Sequence, residues 1–144
     1  MVNESIPIIN LSYLEKLKKE KIKRSYFKPF IKETEISIQS NKELIEIDKK
    51  LKNKDVSESV IYSLILRLRG IILIDSLLDK KKYSKEIFRN FIVKNSEIDY
   101  EKVYKIYRSV RDDSKTSEKI SIDKAESLLF LLAEETKKIS KKIK

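Results

Sequence analysis

The chain has 144 residues, contains no cysteine or histidine, and carries 33 Lys and Arg against 23 Asp and Glu, a formal net charge of +10. The missing residue types exclude disulfides, metal sites built from thiolate or imidazole, and catalysis that uses histidine as acid or base. One glycine and two prolines leave few tight turns, so the composition favours helices over a β-sandwich or barrel. The length suits one domain with its own core.

The positive charge is typical of proteins that meet polyanions such as RNA, DNA or nucleotides. The abundance of lysine, glutamate and isoleucine also fits the charged surface of a hyperthermophile protein, so the charge alone does not decide between the two interpretations. The first residues, "MVNESIPIINLSY", show no basic region followed by an apolar one. We therefore expect an intracellular, cytoplasmic protein without a secretory signal.

In chain order, a flexible N-terminal arm at 1–9 is predicted to precede a single helical-bundle domain at 10–144. Asn10 can cap a short first helix whose lysine-rich end suits the negative end of the helix dipole. Pro29 occupies a first-turn position of a long second helix at about 28–52. The apolar positions that predict this helix are Ile31, Ile38, Ile45 and Leu51.

The third helix is the most apolar part of the chain. Asp55 as N-cap, with Glu58 three residues later, forms a capping-box pattern, and the helix is predicted to end at about Leu78 or Lys80. Its central stretch, "VIYSLILRLRGIILIDSLL", is long enough for a membrane span, but each arginine near a bilayer centre costs roughly 2.5–3.5 kcal/mol. We therefore predict the central helix of a soluble bundle.

Three more helices complete an all-α, antiparallel bundle of five to six helices. The fourth fits "SKEIFRNFIVK", the fifth follows the capping candidates Ser96 and Asp99, and the last follows the capping candidate Ser121. The fifth helix carries a stripe of tyrosines, Tyr100, Tyr104 and Tyr107. Such a stripe either edges the core, with its hydroxyls reaching water, or offers a platform on which bases stack.

Arg67 and Arg69 raise the main functional question. At 100° per residue they lie about 200° apart on the third helix, so they cannot share one role. A buried arginine needs a carboxylate, because losing one member of a buried pair costs about 3–5 kcal/mol, and Asp112 and Asp113 are the predicted partners. The arginines either form a lattice of ion pairs that fixes the register of the helices, or they remain free to bind a ligand. In the second case the planar guanidinium donates two N–H groups to phosphate oxygens.

The order and lengths of these segments, over residues 10–143, resemble the HEPN superfamily, small helical-bundle domains associated with nucleotide or RNA chemistry. "NLSYLEKLKKEKIKR" is similar to the leader of a prokaryotic subgroup. The central helix of that subgroup bears a tyrosine and an arginine, and Tyr62 and Arg69 match these two positions. "YRSVRDD" and the helix after it are similar to the subgroup's last two helices. The candidate ligand-binding residues are Tyr62, Arg67, Arg69, Arg108, Arg111, Asp112 and Asp113.

The chain departs from this family at the catalytic motif. Active HEPN ribonucleases carry an arginine followed after four to six residues by a histidine, whereas "FRNFIVKNS" has Arg89 and then Lys94 at the histidine position. These two residues are second-line candidates. The resemblance implies the fold, a homodimer and a nucleotide or RNA partner, while the missing histidine argues against metal-independent ribonuclease activity of the usual kind. We expect neither a cofactor nor a metal.

Two hypotheses for the function remain open. In the first, the protein is a non-catalytic or degenerate HEPN-like protein that binds nucleotide or RNA through an arginine-rich cleft. In the second, it is a protein-interaction module that pairs with a nucleotidyltransferase, as in HEPN-containing toxin–antitoxin pairs. The arginines are then structural, and the apolar surplus of the third or fourth helix forms the interface. Cleavage of RNA by arginine, aspartate and tyrosine without histidine is a third, weaker hypothesis.

Overall fold

The structure is a computed structural model that describes residues 24–143. In this range the chain forms one 3-10 turn, Arg24–Phe27, and five α-helices, with no strand. The helices are α1 (Lys28–Lys50), α2 (Glu58–Leu78), α3 (Lys85–Asn95), α4 (Tyr100–Arg111) and α5 (Ile122–Lys142). The prediction of an all-α helical bundle is confirmed. The predicted arm and the helix beginning at Asn10 lie outside the described residues.

α2 is the central helix of the bundle, with 12 of its 21 residues buried. α1 packs against it in antiparallel orientation, because Ser37 contacts Ser63 at 3.0 Å while the earlier Glu33 contacts the later Arg67. None of the helices between residues 24 and 143 is both long and apolar enough to cross a membrane. The apolar surplus that the sequence shows in this helix is therefore used inside the bundle.

α5 lies parallel to α2, and α4 lies antiparallel to it. A β-bridge joins the segments that precede α2 and α5, and at the other end Lys142 Nζ lies 2.5 Å from Asp75 Oδ1. α4 runs the opposite way, since Ser109 near its end donates to Glu58 at the start of α2, 3.3 Å away. α3 packs on α4. The side of α2 that faces α4 is where the candidate site lies.

Two of the predicted capping residues are confirmed and two are wrong. Asp99 and Ser121 accept backbone N–H groups at the starts of α4 and α5. Ser57, not Asp55, is the N-cap residue of α2, because the backbone of Asp55 pairs with that of Ser121 in the β-bridge. Ser96 ends α3 instead of starting α4, and its hydroxyl donates to a carbonyl of the preceding turn at 2.7 Å.

Three helices end in a left-handed residue that is not glycine. Lys52, Lys80 and Asp113 have φ angles of 60°, 56° and 53°. After each of them, the next N–H donates to the carbonyl five residues earlier at 2.8–3.0 Å, which is the Schellman pattern. An L-residue in this conformation costs about 1–2 kcal/mol, a cost that glycine avoids. The sole glycine of the chain, Gly70, lies inside α2 instead.

Glycine at these helix ends should therefore stabilise the protein. We expect Lys52→Gly and Lys80→Gly each to raise the free energy of unfolding by about 1 kcal/mol, because relief of strain exceeds the added flexibility of the unfolded chain. Urea unfolding followed by circular dichroism measures the change. Lys50→Gly, inside the last turn of α1, is the matched control and should lower stability by about 0.5–1 kcal/mol. Equal losses at positions 50 and 52 would contradict the predicted strain.

Candidate functional site

Five aromatic rings form a continuous stack where α4 meets α2 and α3. Tyr62 stacks on Tyr107 with ring centroids 5.1 Å apart, and Tyr107 stacks on Tyr104 at 5.6 Å. Tyr104 stacks on Tyr100 at 5.4 Å, and Phe88 meets the last ring edge-on at 6.1 Å. The three α4 tyrosines are buried. The stripe is therefore part of the core, because the rings occupy one another's faces and leave no free platform for a base.

Cationic side chains from three helices surround this stack. Their charged groups lie between 4.6 and 5.9 Å from the ring centroids, within the range of cation–π contact. We call them the basic cluster: Arg69 and Arg111 at Tyr107, Lys85 and Arg108 at Tyr104, and Arg89 at Tyr100. Each contact is worth about 0.5–1 kcal/mol at an exposed site, so the stack holds the cations without neutralising them.

Arg69 is the half-buried member of the basic cluster that comes from α2. Its Nη1 donates to the hydroxyl of Tyr107 at 2.9 Å, and the hydroxyl of Tyr83 also interacts with the guanidinium. Within residues 24–143 it makes no ion pair, unlike Arg67, Arg89 and Arg111. The guanidinium is thus partly removed from water and held by neutral hydroxyl groups.

The tyrosines around Arg69 stay uncharged at neutral pH. Burial raises the pKa of Tyr83 and Tyr107 and lifts that of Tyr100 to about 12, although the positive charge of Arg69 acts in the opposite direction. No tyrosinate therefore balances the guanidinium. The hydroxyl of Tyr100 is itself buried without a hydrogen-bond partner in the described part of the chain.

The predicted pairing of the α2 arginines with Asp112 and Asp113 is wrong. α4 ends at Arg111, so both aspartates lie beyond the helix on the exposed turn. Asp112 accepts hydrogen bonds from Nε and Nη2 of its neighbour Arg111, at 3.0 and 3.2 Å, and this arginine lowers the pKa of the carboxyl group. Asp113 adopts the left-handed conformation that ends the helix.

Arg67 lies on the opposite side of α2 and does not belong to the basic cluster. Its Nη1 is 3.7 Å from a carboxylate oxygen of Glu33, and its guanidinium lies 5.3 Å from the ring centroid of Phe30 on α1. Gly70 allows the ring of Phe30 to approach the backbone of α2, since a Cβ atom at position 70 would lie 2.8 Å from Cε2 of Phe30 and closer still to Cζ. The close neighbour of the glycine is thus an aromatic side chain. Arg67 and Arg69 contact different helices and different partners, as their positions on α2 predicted.

The remaining candidates divide between the basic cluster and its surroundings. Arg108 is exposed at the Tyr104 ring, whereas Arg89 is also paired with Glu101 at 3.3 Å. Lys94, exposed at the end of α3, makes none of the ring contacts that define the cluster. Sequence reasoning missed Tyr83 and Lys85. Both belong to the "DKKKYSKE" segment, where no helical spacing signals which side chains turn toward α4.

Comparisons of the chain with models of protein families, with curated proteins and with solved structures found no match. Within residues 24–143, no group of three or more acidic side chains could hold a metal ion. The chemistry of the basic cluster is that of hydrogen-bond donors and positive charge. Such a set of groups suits an anion that brings several acceptor oxygens.

Proposed function

We propose that the protein binds the phosphate groups of a nucleotide or of RNA at the basic cluster and does not catalyse a reaction there. The observation that carries this proposal is the half-buried guanidinium of Arg69, which has no carboxylate partner among the described residues. Partial removal of a charge from water is costly unless an opposite charge compensates it. A phosphate group would supply that compensation.

The geometry around Arg69 suits phosphate recognition. Arginine presents five N–H donors in a planar fork, and Tyr107 accepts from only one of the terminal nitrogens. Lys85 and Arg108 add two exposed charges that also form no ion pair within residues 24–143. Charge-assisted hydrogen bonds to phosphate oxygens are roughly twice as strong as neutral ones, so this set of donors favours an anion over a neutral ligand.

Two further points support binding without catalysis. The tyrosine hydroxyls beside Arg69 are poor acids and bases at neutral pH, because burial raises their pKa values. The resemblance to HEPN proteins favours a nucleotide or RNA ligand, and the missing histidine removes the family's usual ribonuclease chemistry. The stacked tyrosines hold the cations in place and do not read bases, so we expect little sequence preference.

Fluorescence anisotropy tests this proposal with two labelled probes, a single-stranded RNA and a nucleoside triphosphate, each at low and near-physiological salt. We expect saturable binding that weakens as salt rises. Arg108→Gln should reduce the logarithmic salt slope for RNA by about 0.7, the value for one lost contact on a single strand. Affinity for the triphosphate alone would assign the cluster to nucleotides, and no binding of either probe would refute the proposal.

Arg67→Gln is the matched control for Arg108→Gln. It removes the same charge from the side of α2 that faces α1, where the arginine contacts Glu33 and Phe30. We expect the salt slope of this variant to equal that of the wild type. Equal slope changes in both variants would mean that RNA responds to net charge and not to the basic cluster.

The nucleotidyltransferase-partner hypothesis has less surface available than the sequence indicated. Most apolar residues of α2 are buried, and α3 exposes only Ile87 and Val93 among its large apolar side chains. These two lie about 120° apart around the helix at 100° per residue, so they do not form one stripe. The basic cluster is therefore the better-supported site.

A further inference from the structure

α1 carries a second apolar stripe on the side that faces away from α2. We call it the outer stripe: Ile36, Leu44, Ile47 and Leu51. Their exposed fractions lie between 44% and 67%, and they account for four of the nine large apolar side chains that the described part of the chain exposes. Spacings of three, four and eight residues place them along one line of the helix. Nothing in the bundle between residues 24 and 143 covers this line.

We propose that the outer stripe is the docking surface for a second copy of this chain, which packs its own α1 against it in antiparallel orientation. This proposal concerns a different surface from the basic cluster and does not depend on the proposed function. Leu44, Ile47 and Leu51 follow the three- and four-residue alternation by which apolar side chains of one helix fit between those of another. The same alternation makes a stripe self-complementary under twofold symmetry.

The charges beside the outer stripe favour this occupant. Glu43 and Lys50 flank it seven residues apart, and both are exposed. Lys50 makes no ion pair within the described range, and Glu43 accepts only a 3.4 Å hydrogen bond from Gln39. If two copies pack antiparallel about a midpoint between Leu44 and Ile47, Glu43 of each copy lies beside Lys50 of the other. Symmetry forms this pair of opposite charges twice.

A parallel arrangement of the same helices would have less favourable charges. Glu43 lies on one flank of the stripe and Asp48 on the other, so a parallel pair would bring Glu43 of each copy beside Asp48 of the other, and like charges would meet. The charge pattern therefore selects the antiparallel pairing. About the midpoint given above, Leu44, Ile47 and Leu51 of each copy face the other copy, whereas Ile36 lies level with residues beyond the end of α1, so three apolar side chains of each copy form the interface. An interface of this size is small, so we expect a weak dimer whose population depends on protein concentration.

Sedimentation velocity of the full chain over a range of concentrations tests the dimer. The wild-type mass should rise from 17.1 kDa toward twice that value as concentration increases. Ile47→Glu should remain at the monomer mass over the same range, because it places a carboxylate in the centre of the outer stripe. Ile87→Glu, an equally drastic change at an exposed position on α3, is the matched control and should associate as the wild type does.

Charge reversal tests the antiparallel geometry. Glu43→Lys and Lys50→Glu should each weaken association several-fold, and the variant that carries both changes should regain it. Circular dichroism verifies that every variant is folded. A wild-type protein that stays monomeric would overturn the proposal, and the outer stripe would then serve another occupant. A dimer that Ile47→Glu leaves intact, or that the double reversal does not restore, would overturn it equally.

Discussion

Arg69→Met should weaken phosphate binding at least tenfold, and adding Tyr107→Phe should restore the stability that the single change removes. Methionine keeps an unbranched stem, shorter than that of arginine, but leaves the Tyr107 hydroxyl buried without its donor, which costs about 1–3 kcal/mol. Removal of both polar partners replaces their hydrogen bond with an apolar contact, a change that is often close to neutral. Binding should stay lost in the double variant, because the guanidinium is still missing.

Urea unfolding and RNA anisotropy on the wild type, both single variants and the double variant measure this cycle. Tyr107→Phe alone should keep most of the binding, since Arg69 retains its charge and its remaining donors. The alternative is that Arg69 is structural and, through its hydrogen bond to Tyr107, fixes the packing of α2 on α4. A double variant that is as unstable as Arg69→Met alone would favour that structural role and contradict our account.

Tyr107→Ala should lower the free energy of unfolding by about 3–5 kcal/mol, the largest loss that we expect from a single substitution. The ring is fully buried and stacks on both Tyr62 and Tyr104, so its truncation opens a cavity between α2 and α4. A loss of this size is a large part of the stability of a small domain, typically about 5–15 kcal/mol. Thermal and urea unfolding measure it.

Tyr26→Ala is the matched control for Tyr107→Ala. Tyr26 is exposed in the 3-10 turn before α1, and its truncation should change stability by no more than about 0.5 kcal/mol. If Tyr107→Ala kept wild-type stability but lost RNA binding, the tyrosine stripe would be a binding platform and not part of the core.

The helices could be predicted because their signals are local. Apolar spacing and the caps at Asp99 and Ser121 lie within a few residues of the structure that they specify. The opposite directions of Arg67 and Arg69 followed in the same way from helical geometry alone. Leu51 shows the limit of this approach. Its six-residue spacing from Ile45 turns it by about 120°, so it joins the outer stripe and not the buried seam.

The partners of the arginines could not be predicted, because they depend on how the helices pack. Asp112 and Arg69 are far apart in the sequence. Whether the Asp112 carboxylate reaches α2 therefore depends on where α4 ends. Tyr83 belongs to the α2–α3 connection, and its interaction with Arg69 depends on how that connection packs, for which helical spacing carries no signal. The spacing of residues along one helix gives no information on whether the counter-charge of an arginine comes from a ligand or from a neighbouring helix.

The location of the ligand is the central claim, and an NMR titration of the isotope-labelled protein with a short single-stranded RNA tests it most directly. The protein has a mass of 17.1 kDa, which suits this method. We predict that the perturbed signals come from Arg69, Tyr83 and the residues of α3 and α4 around the basic cluster, while Arg67 and α1 keep their positions. Signals that move only on the Arg67 side, or none that move at saturating RNA, would contradict the account.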